Sequence, residues 1–296
     1  MGAADEFKKL PVDEQQRFCN TSQHLCSIAR NCAIPIALAP RPGCGGNVNH
    51  ASGFALQMSS GFFSVTASHV LTQYEIRLQK SEQLNWQLGN LRPFDPLTRV
   101  VWRSVERNRD EIAESASVRL PAVEGANRDG RDIVIMRLYP EEARHLKMNP
   151  NCIISTPTQW PPSVPLEQNV VLVAGYPFAL REVDHLQARV SAGAYTAMLR
   201  VTNCGDGYFK CRIEQEDLVS FDGSPLPELG SKNVEGLSGG PVLLTGPVYP
   251  VVGVVTDCSD LYELHLLYVA TLDNVDERDF ADDESKLAPS QTRRQG

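Results

Sequence analysis

The strongest signal in this chain is the stretch G-L-S-G-G-P, residues 236–241, which leads into the apolar run V-L-L. At a glycine usage of about 7%, a fixed G-x-S-G-G-P is expected by chance in roughly a few chains per ten thousand of this length. A nucleophilic serine needs its hydroxyl on a tight turn, near backbone N–H groups that can hold an oxyanion. Glycines give the backbone the freedom to aim those donors, so Ser238 is predicted to be a nucleophile.

Two segments upstream carry the residue types that activate such a serine. F-F-S-V-T-A-S-H-V, residues 62–70, ends a run of strand character in a turn of small residues that carries His69. R-D-I-V-I-M-R-L, residues 131–138, places Asp132 at the head of an apolar strand. The chain order histidine, aspartate, serine is one of the known orders of the catalytic triad.

Other residues compete less well for these roles. Asp110 and Asp129 lie close enough upstream of Asp132 to be alternatives for the carboxylate. The remaining histidines are predicted to be structural or solvated: His24, His50, His145, His185 and His265.

The three motifs together resemble those of the trypsin-like serine proteases. SVTASHV is similar to the T-A-A-H box of that family, DIVIMRL to its D-I-A-L-L-x-L segment, and GLSGGP to its G-x-S-G-G-P; VVGVVT, residues 251–256, resembles its cleft-lining strand. The resemblance covers about residues 32–272. It implies a serine endopeptidase that forms an acyl-enzyme on Ser238, with His69 as general base and Asp132 as the carboxylate that orients it.

The resemblance also implies an oxyanion hole and a substrate pocket. The backbone N–H groups of Gly236 and Ser238 would form the oxyanion hole. Lys232 stands six residues before the nucleophile, where trypsin has its pocket aspartate, and would reject Arg and Lys side chains and favour acidic ones. Asp257, next to Thr256 in the cleft strand, would oppose that preference if it faces the pocket, so the preferred substrate stays open.

Three departures from the family pattern bear on where and how the protein works. Val70 and Val234 occupy positions where secreted trypsins have disulfide cysteines, so the chain resembles an intracellular or bacterial branch. Leu237 replaces the aspartate that pairs with a newly released N-terminal amine in zymogens of the family. Trypsin-style activation by N-terminal cleavage is therefore not expected, whereas removal of the segment 1–30 by another route stays open.

The rest of the chain predicts an all-β fold. Ten or more short runs of strand character are separated by Gly, Pro and Asn, and Y-E-I-R-L-Q, residues 74–79, is counted among them. We expect two six-stranded β-barrels of chymotrypsin type with the active site in the cleft between them, plus a short N-terminal helix. The expected units are a helical segment over 1–30, a first barrel over 31–150, a second barrel over 151–275 and a solvated tail over 276–296, with the Pro-rich stretch 156–168 connecting the barrels.

Composition and charge exclude several classes of function. Lys and Arg number 28 against 36 Asp and Glu, and the net charge of −8 argues against nucleic acid as a partner. No apolar run is long enough to span a membrane, and the polar, acidic start differs from a secretory signal, so a cytoplasmic protein is expected. No two cysteines have the spacing of a zinc or redox motif, and no metal or cofactor is predicted.

The eight cysteines are expected to be reduced. A disulfide between Cys204 and Cys211 is the alternative, because the intervening G-D-G could turn a hairpin.

Two other functions were weighed against the protease. A pseudoprotease would use the same fold to bind peptides or regulate a partner, although the chain retains all three triad residue types. An esterase of the α/β-hydrolase type needs a strand-to-helix turn at its nucleophile, whereas the residues after Ser238 have strand character. The expected substrate is a protein or peptide. Since a cytoplasmic protease must not degrade the proteins of its own cell, we also expect narrow specificity or a regulatory partner protein.

Overall fold

The computed structural model describes residues 7–41, 47–104, 126–127, 131–147, 153–155, 160–184, 189–213, 236–261, 264–273 and 275. Within these ranges the α-helices are α1 (Val12–Cys32), α2 (Ser68–Gln79) and α3 (Pro140–Lys147). The strands of the first β-unit are β1 (Ala33–Pro40), β2 (Asn49–Met58), β3 (Gly61–Ala67), β4 (Leu84–Leu88), β5 (Val100–Ser104), β6 (Ala126–Asn127), β7 (Ile133–Leu138) and β8 (Ile153–Ser155). Those that follow are β9 (Val170–Gly175), β10 (Arg181–Asp184), β11 (Arg189–Ala192), β12 (Tyr195–Gly205), β13 (Tyr208–Ile213), β14 (Pro241–Leu244), β15 (Val251–Leu261) and β16 (Leu264–Thr271).

The second β-unit is a closed six-stranded barrel, as predicted. Its strands follow one another in the order β12, β13, β16, β15, β14 and β9. Side chains from all six strands pack on shared apolar cores, which leave little room for polar groups. β10 and β11 pair with each other as a separate two-stranded sheet.

The first β-unit differs from the six-stranded barrel that the sequence predicted. It is an eight-stranded sheet in the order β4, β1, β2, β3, β7, β5 and β6, with β8 added beside β2. The ten-residue β2 is long enough to pair with β1 along its first half and with β8 along its second half. Among the described residues no pairing joins β4 to β6, so this unit is a half-barrel. β8 also lies beyond the boundary expected at residue 150.

The N-terminal helix is confirmed in α1. Residues at helical spacing, Ser22, Cys26 and Ala29, are buried on one side of it, and the helix lies against β9, β12 and β14 of the barrel. Asp13 and Glu14 in its first turn favour the positive end of the helix dipole.

Helix α2 corrects the strand interpretation of residues 74–79. Apolar and charged residues alternate there, which is the period of a strand. The charged Glu75 and Arg77 are nevertheless buried, as is Tyr74, whereas Ile76 and Leu78 are only partly buried. The burial of Glu75 and Arg77 is explained by ion pairs with Arg103 and Glu82. These partners lie outside the local pattern, so the alternation was misleading.

The Pro-rich stretch 156–168 lies between the last strand of the half-barrel and the first strand of the closed barrel. Residues 156–159 and the tail 276–296 lie outside the described residues. No helix in the described part of the chain is both long and apolar enough to cross a membrane.

Candidate active site

The structure brings His69 and Asp132 together in the half-barrel, where β3 ends and the neighbouring β7 begins. The His69 Nδ1 atom lies 2.7 Å from Asp132 Oδ2, and the His69 backbone N–H donates to Asp132 Oδ1 at 2.8 Å. Both oxygens of one carboxylate thus hold one residue. This arrangement favours the tautomer with the proton on Nδ1, which leaves Nε2 able to accept a proton.

Local structure places both residues. His69 stands in the first turn of α2, directly after β3, and Asp132 directly precedes β7, which pairs with β3. The Ser68 N–H donates to the Asp132 carbonyl at 2.9 Å. Asp132 has a φ of +53°, a left-handed conformation that aspartate tolerates better than most residues do. Strain of this kind is frequent at functional sites, where the surrounding structure compensates for it.

The turn that carries Ser238 requires its glycines. Gly236 and Gly239 have φ values of +96° and +90°, which disfavour a side chain. A Cβ on Gly239 would overlap the Ser52 carbonyl and the Thr66 hydroxyl, and one on Gly240 would overlap the Ala174 carbonyl. The glycine pattern of the motif therefore reflects close packing of the turn as well as its backbone conformation.

Ser52, at the start of β2, ties this turn to the half-barrel. Its hydroxyl donates to the Gly236 carbonyl at 2.6 Å and accepts from the Tyr176 N–H at 2.8 Å. Its backbone N–H donates to the Ser238 carbonyl at 2.9 Å. Sequence reasoning missed Ser52, and no local signal could have revealed it, because Tyr176 and Gly236 are 124 and 184 residues away in the chain.

The amides predicted to form the oxyanion hole are available. Neither Gly236 nor Ser238 donates its backbone N–H to another residue in the described part of the chain. The intervening Leu237 is only 2% exposed and joins the apolar core of the closed barrel. The middle residue of the turn is thus held by apolar burial.

The Ser238 hydroxyl donates to the Thr256 carbonyl in the cleft strand β15, at 3.3 Å. Within the described residues it forms no hydrogen bond with His69. Rotation about χ1 of Ser238 would release the hydroxyl from Thr256.

The predicted pocket residues are only partly accounted for. Thr256 is half-buried next to Ser238, and Asp257 is exposed one residue further along β15. A register shift of β15 against β16 falls between Val255 and Asp257, which is where the strand passes the nucleophile. Lys232 lies outside the described residues, as do Val234 and the competing aspartates Asp110 and Asp129.

His50 lies closer to the site than sequence reasoning suggested. A Cβ on Gly236 would come within 2.7 Å of His50 Nε2, so this ring packs directly against the predicted oxyanion turn. The ring also stacks on Phe178, with centroids 5.6 Å apart. His50 is the second residue of β2, and its position there offered no periodicity that would have marked it.

Arg131, the residue before Asp132, joins the half-barrel to the closed barrel. It is 4% exposed and donates to Asp273 Oδ1 at 2.7 Å and to the Thr271 carbonyl at 3.3 Å. The Arg131 N–H donates to the Ser104 hydroxyl at 3.1 Å. The backbone beside Asp132 is therefore held from both β-units.

Cys204 and Cys211 are free thiols and form no disulfide with each other. In the β12–β13 hairpin Cys204 pairs with Phe209 and Cys211 pairs with Val201, so the two cysteines are not opposite each other. Burial raises the pKa of Cys211 to about 12, helped by the nearby Cys204.

Comparisons with known proteins give structural likeness without sequence likeness. The sequence matches no protein-family model and no curated protein. Among solved structures, it is similar to the thermostable serine protease AL20 from an extremophilic microorganism, at 11% identity and a TM-score of 0.47, over 86% of this chain and 97% of that one.

Two further bacterial structures are similar. The active form of the Rv3671c protease from M. tuberculosis shares 16% identity at a TM-score of 0.39, over 83% of this chain and 78% of that one. The HtrA-type protease AlgW, solved with a decapeptide, shares 10% identity at a TM-score of 0.41, over 84% of this chain and 63% of that one.

All three are proteases. The chain has the chymotrypsin-type fold. This follows from its own topology, a half-barrel that carries His69 and Asp132 and a closed six-stranded barrel that carries Ser238.

Among the described residues no three His, Cys, Asp or Glu side chains cluster as metal ligands would.

Proposed function

We propose that the protein is a serine endopeptidase that hydrolyses peptide bonds through an acyl-enzyme on Ser238. The observation that carries the proposal is the His69–Asp132 pair, in which one carboxylate holds both the ring and the backbone of the histidine. Two hydrogen bonds from one carboxylate hold the histidine ring in one orientation, and a general base needs such a fixed orientation. The glycine-flanked Ser238 turn and its two available amides supply the other parts of the reaction.

The reaction would proceed in two halves. The Ser238 oxygen attacks the peptide carbonyl while its proton moves to His69 Nε2, and the amides of Gly236 and Ser238 stabilise the oxyanion. The tetrahedral intermediate collapses as His69 returns the proton to the leaving amine. Water then attacks the acyl-enzyme carbonyl while its proton moves to His69. The second tetrahedral intermediate collapses as His69 returns that proton to the Ser238 oxygen, the ester bond breaks and the carboxylic acid product leaves. The Asp132 carboxylate stabilises the imidazolium through its contact with Nδ1.

Location and regulation are part of this proposal. Valines occupy positions 70 and 234, where secreted trypsins have disulfide cysteines, and this favours a cytoplasmic protein. The free thiols among the described cysteines are compatible with a reducing compartment. A protease there requires restraint, which we assign to narrow specificity or a regulatory partner protein. The substrate would be a protein or peptide.

A pseudoprotease is the second candidate, and one observation favours it. The Ser238 hydroxyl is bonded to the Thr256 carbonyl and forms no described bond to His69. If that bond persists, the cleft would still bind an extended peptide, but the serine would not be activated.

Labelling with a fluorophosphonate probe tests the proposal. The purified protein should become labelled at Ser238, as mapped by mass spectrometry of the modified peptide. Ser238→Ala should abolish labelling, because the nucleophile is absent. His69→Ala should abolish most of it, and Asp132→Asn should slow it on the order of 10⁴-fold, because the wrong tautomer is favoured.

The two candidates predict different results. Labelling at Ser238 at the same rate in His69→Ala would show that no triad operates, and would overturn the protease proposal. A wild-type chain that binds peptides but is not labelled, with or without added partner proteins, would favour the pseudoprotease.

A further inference from the structure

A buried ion pair anchors the helix that carries His69. Arg103, near the end of β5, is 4% exposed, and Glu75, on α2, is 6% exposed. The guanidinium donates to Glu75 Oε1 at 2.8 Å and to Oε2 at 2.9 Å. This two-pronged contact fixes both distance and orientation, unlike a single hydrogen bond.

The same guanidinium reaches two more residues of α2. Arg103 Nε donates to the Ser68 hydroxyl at 2.9 Å, and Nη2 donates to the Thr72 hydroxyl at 2.8 Å. Ser68, Thr72 and Glu75 have the spacing of one helix face. The Arg103 side chain therefore forms hydrogen bonds with residues in two turns of α2, and the first of these residues directly precedes His69.

The arrangement departs from the family box at the position where Arg103 makes contact. SVTASHV has Ser68 where the T-A-A-H box has alanine, and the Ser68 hydroxyl is an acceptor for Arg103. A buried charge without its partner is costly, so the paired geometry strongly restricts where α2 can lie.

The next residue of β5 acts on the other member of the pair. The Ser104 hydroxyl accepts the backbone N–H of Arg131, which precedes Asp132. The end of β5 thus contacts both the residue before His69, through the Ser68 hydroxyl, and the residue before Asp132, through the Arg131 backbone N–H.

We propose that Arg103 and Glu75 are positioning residues that fix the His69 ring for proton transfer. The inference rests on the proposed peptidase function, in which His69 is the base. Both residues are buried, so we expect neither to touch the substrate. They act through α2, by holding the first helical turn so that the ring keeps its bond to Asp132 while Nε2 faces the nucleophile.

The test replaces the ion pair by apolar residues of similar size in the full chain. The double variant Glu75→Leu, Arg103→Met leaves no unpaired charge and is expected to fold. Its matched control is Glu142→Leu, Arg99→Met, which removes another Arg–Glu pair of the first β-unit, joined at 2.6 Å but away from α2. Ser68→Ala is the milder second variant, since it removes only one hydrogen bond to Arg103.

Two readouts are measured. The first is the Nδ1–H signal of His69 in ¹⁵N-histidine-labelled protein, identified by its loss in His69→Gln, together with its exchange rate with water. The second is the rate of fluorophosphonate labelling. In the double variant we expect exchange at least tenfold faster and labelling at least tenfold slower, with two- to fivefold changes in Ser68→Ala. The Arg99–Glu142 control should match wild type in both.

The outcomes separate the two proposals. A folded double variant with the wild-type exchange rate would overturn the positioning role, whatever the labelling shows. If the double variant does not fold, an unchanged exchange rate in Ser68→Ala would overturn it. A wild-type chain that is never labelled would count against the peptidase function alone, because the Nδ1–H signal still reports the position of His69.

Discussion

The two β-units of this molecule bury different kinds of side chain. Among the residues whose side-chain burial the structure describes, the buried charged ones are Glu75, Arg77, Arg103, Arg131 and Asp132, and all five belong to the first unit. Both units also bury an apolar cluster, and in the closed barrel this cluster has members from all six strands. The half-barrel is therefore held together in part by directional polar contacts, and the barrel by non-directional apolar burial.

The difference matches the part that each unit contributes to the site. The base and its carboxylate need a set orientation, which paired charges and hydrogen bonds can supply. The nucleophile turn needs a rigid platform, which a closed, densely packed barrel can supply. Ser238 lies where the two meet, because Ser52 bonds to its turn from one side and Leu237 is buried in the barrel on the other.

The largest expected effect concerns the packing of this junction. Gly239→Ala places a methyl group against the Ser52 carbonyl at a φ of +90°, so the turn has to move away from the half-barrel. We expect a loss of about 3 kcal/mol in the free energy of unfolding, measured by urea denaturation, and at least a hundredfold slower labelling of Ser238. Gly246→Ala is the control, since nothing lies within 4 Å of the added Cβ and its stability should be unchanged.

A smaller effect is expected from the polar link between the units. Ser52→Ala leaves the Gly236 carbonyl and the Tyr176 N–H without their hydroxyl partner. This should cost about 2 kcal/mol in the free energy of unfolding and slow labelling roughly tenfold, since the turn is misplaced.

Ser64→Ala is the matched control for Ser52→Ala. Ser64 is equally buried in the half-barrel, but its hydroxyl has no hydrogen-bond partner in the described residues. Its replacement should be neutral or slightly stabilising. An equal loss in the free energy of unfolding for the two variants would show that the Ser52 hydrogen bonds to the turn do not add to stability.

The smallest effect reports on the apolar interior of the barrel. The pKa of Cys211 is raised to about 12 by burial, so the folded protein keeps this thiol protonated at pH values where the unfolded chain, with a pKa near 9, ionises. The contribution is fully present below pH 9 and is lost as the pH rises toward 12. Between pH 9 and pH 10 the free energy of unfolding should fall by about 1 kcal/mol more in wild type than in Cys211→Ala. Parallel pH profiles would contradict this account of the barrel interior.

The sequence predicted a large part of this arrangement from local features. Short apolar runs marked β3, β7 and β15, because alternation and burial leave a periodic pattern within the strand itself. The glycines around Ser238 were informative because a tight turn constrains its own residues. Alternation failed in α2, where Glu75 and Arg77 are buried by partners that the local pattern does not contain.

Motif residues and strand periods record constraints between near neighbours, and these were enough for the barrel, the N-terminal helix and the candidates His69, Asp132 and Ser238. Only the tertiary structure revealed three features. They are the half-barrel with its extra strand β8, the hydrogen bonds of Ser52 to the Ser238 turn, and the contacts of Arg103 with α2. Each depends on residues that lie far apart in the chain and meet only when the sheet forms, and one sequence contains no record of which distant residues will be in contact.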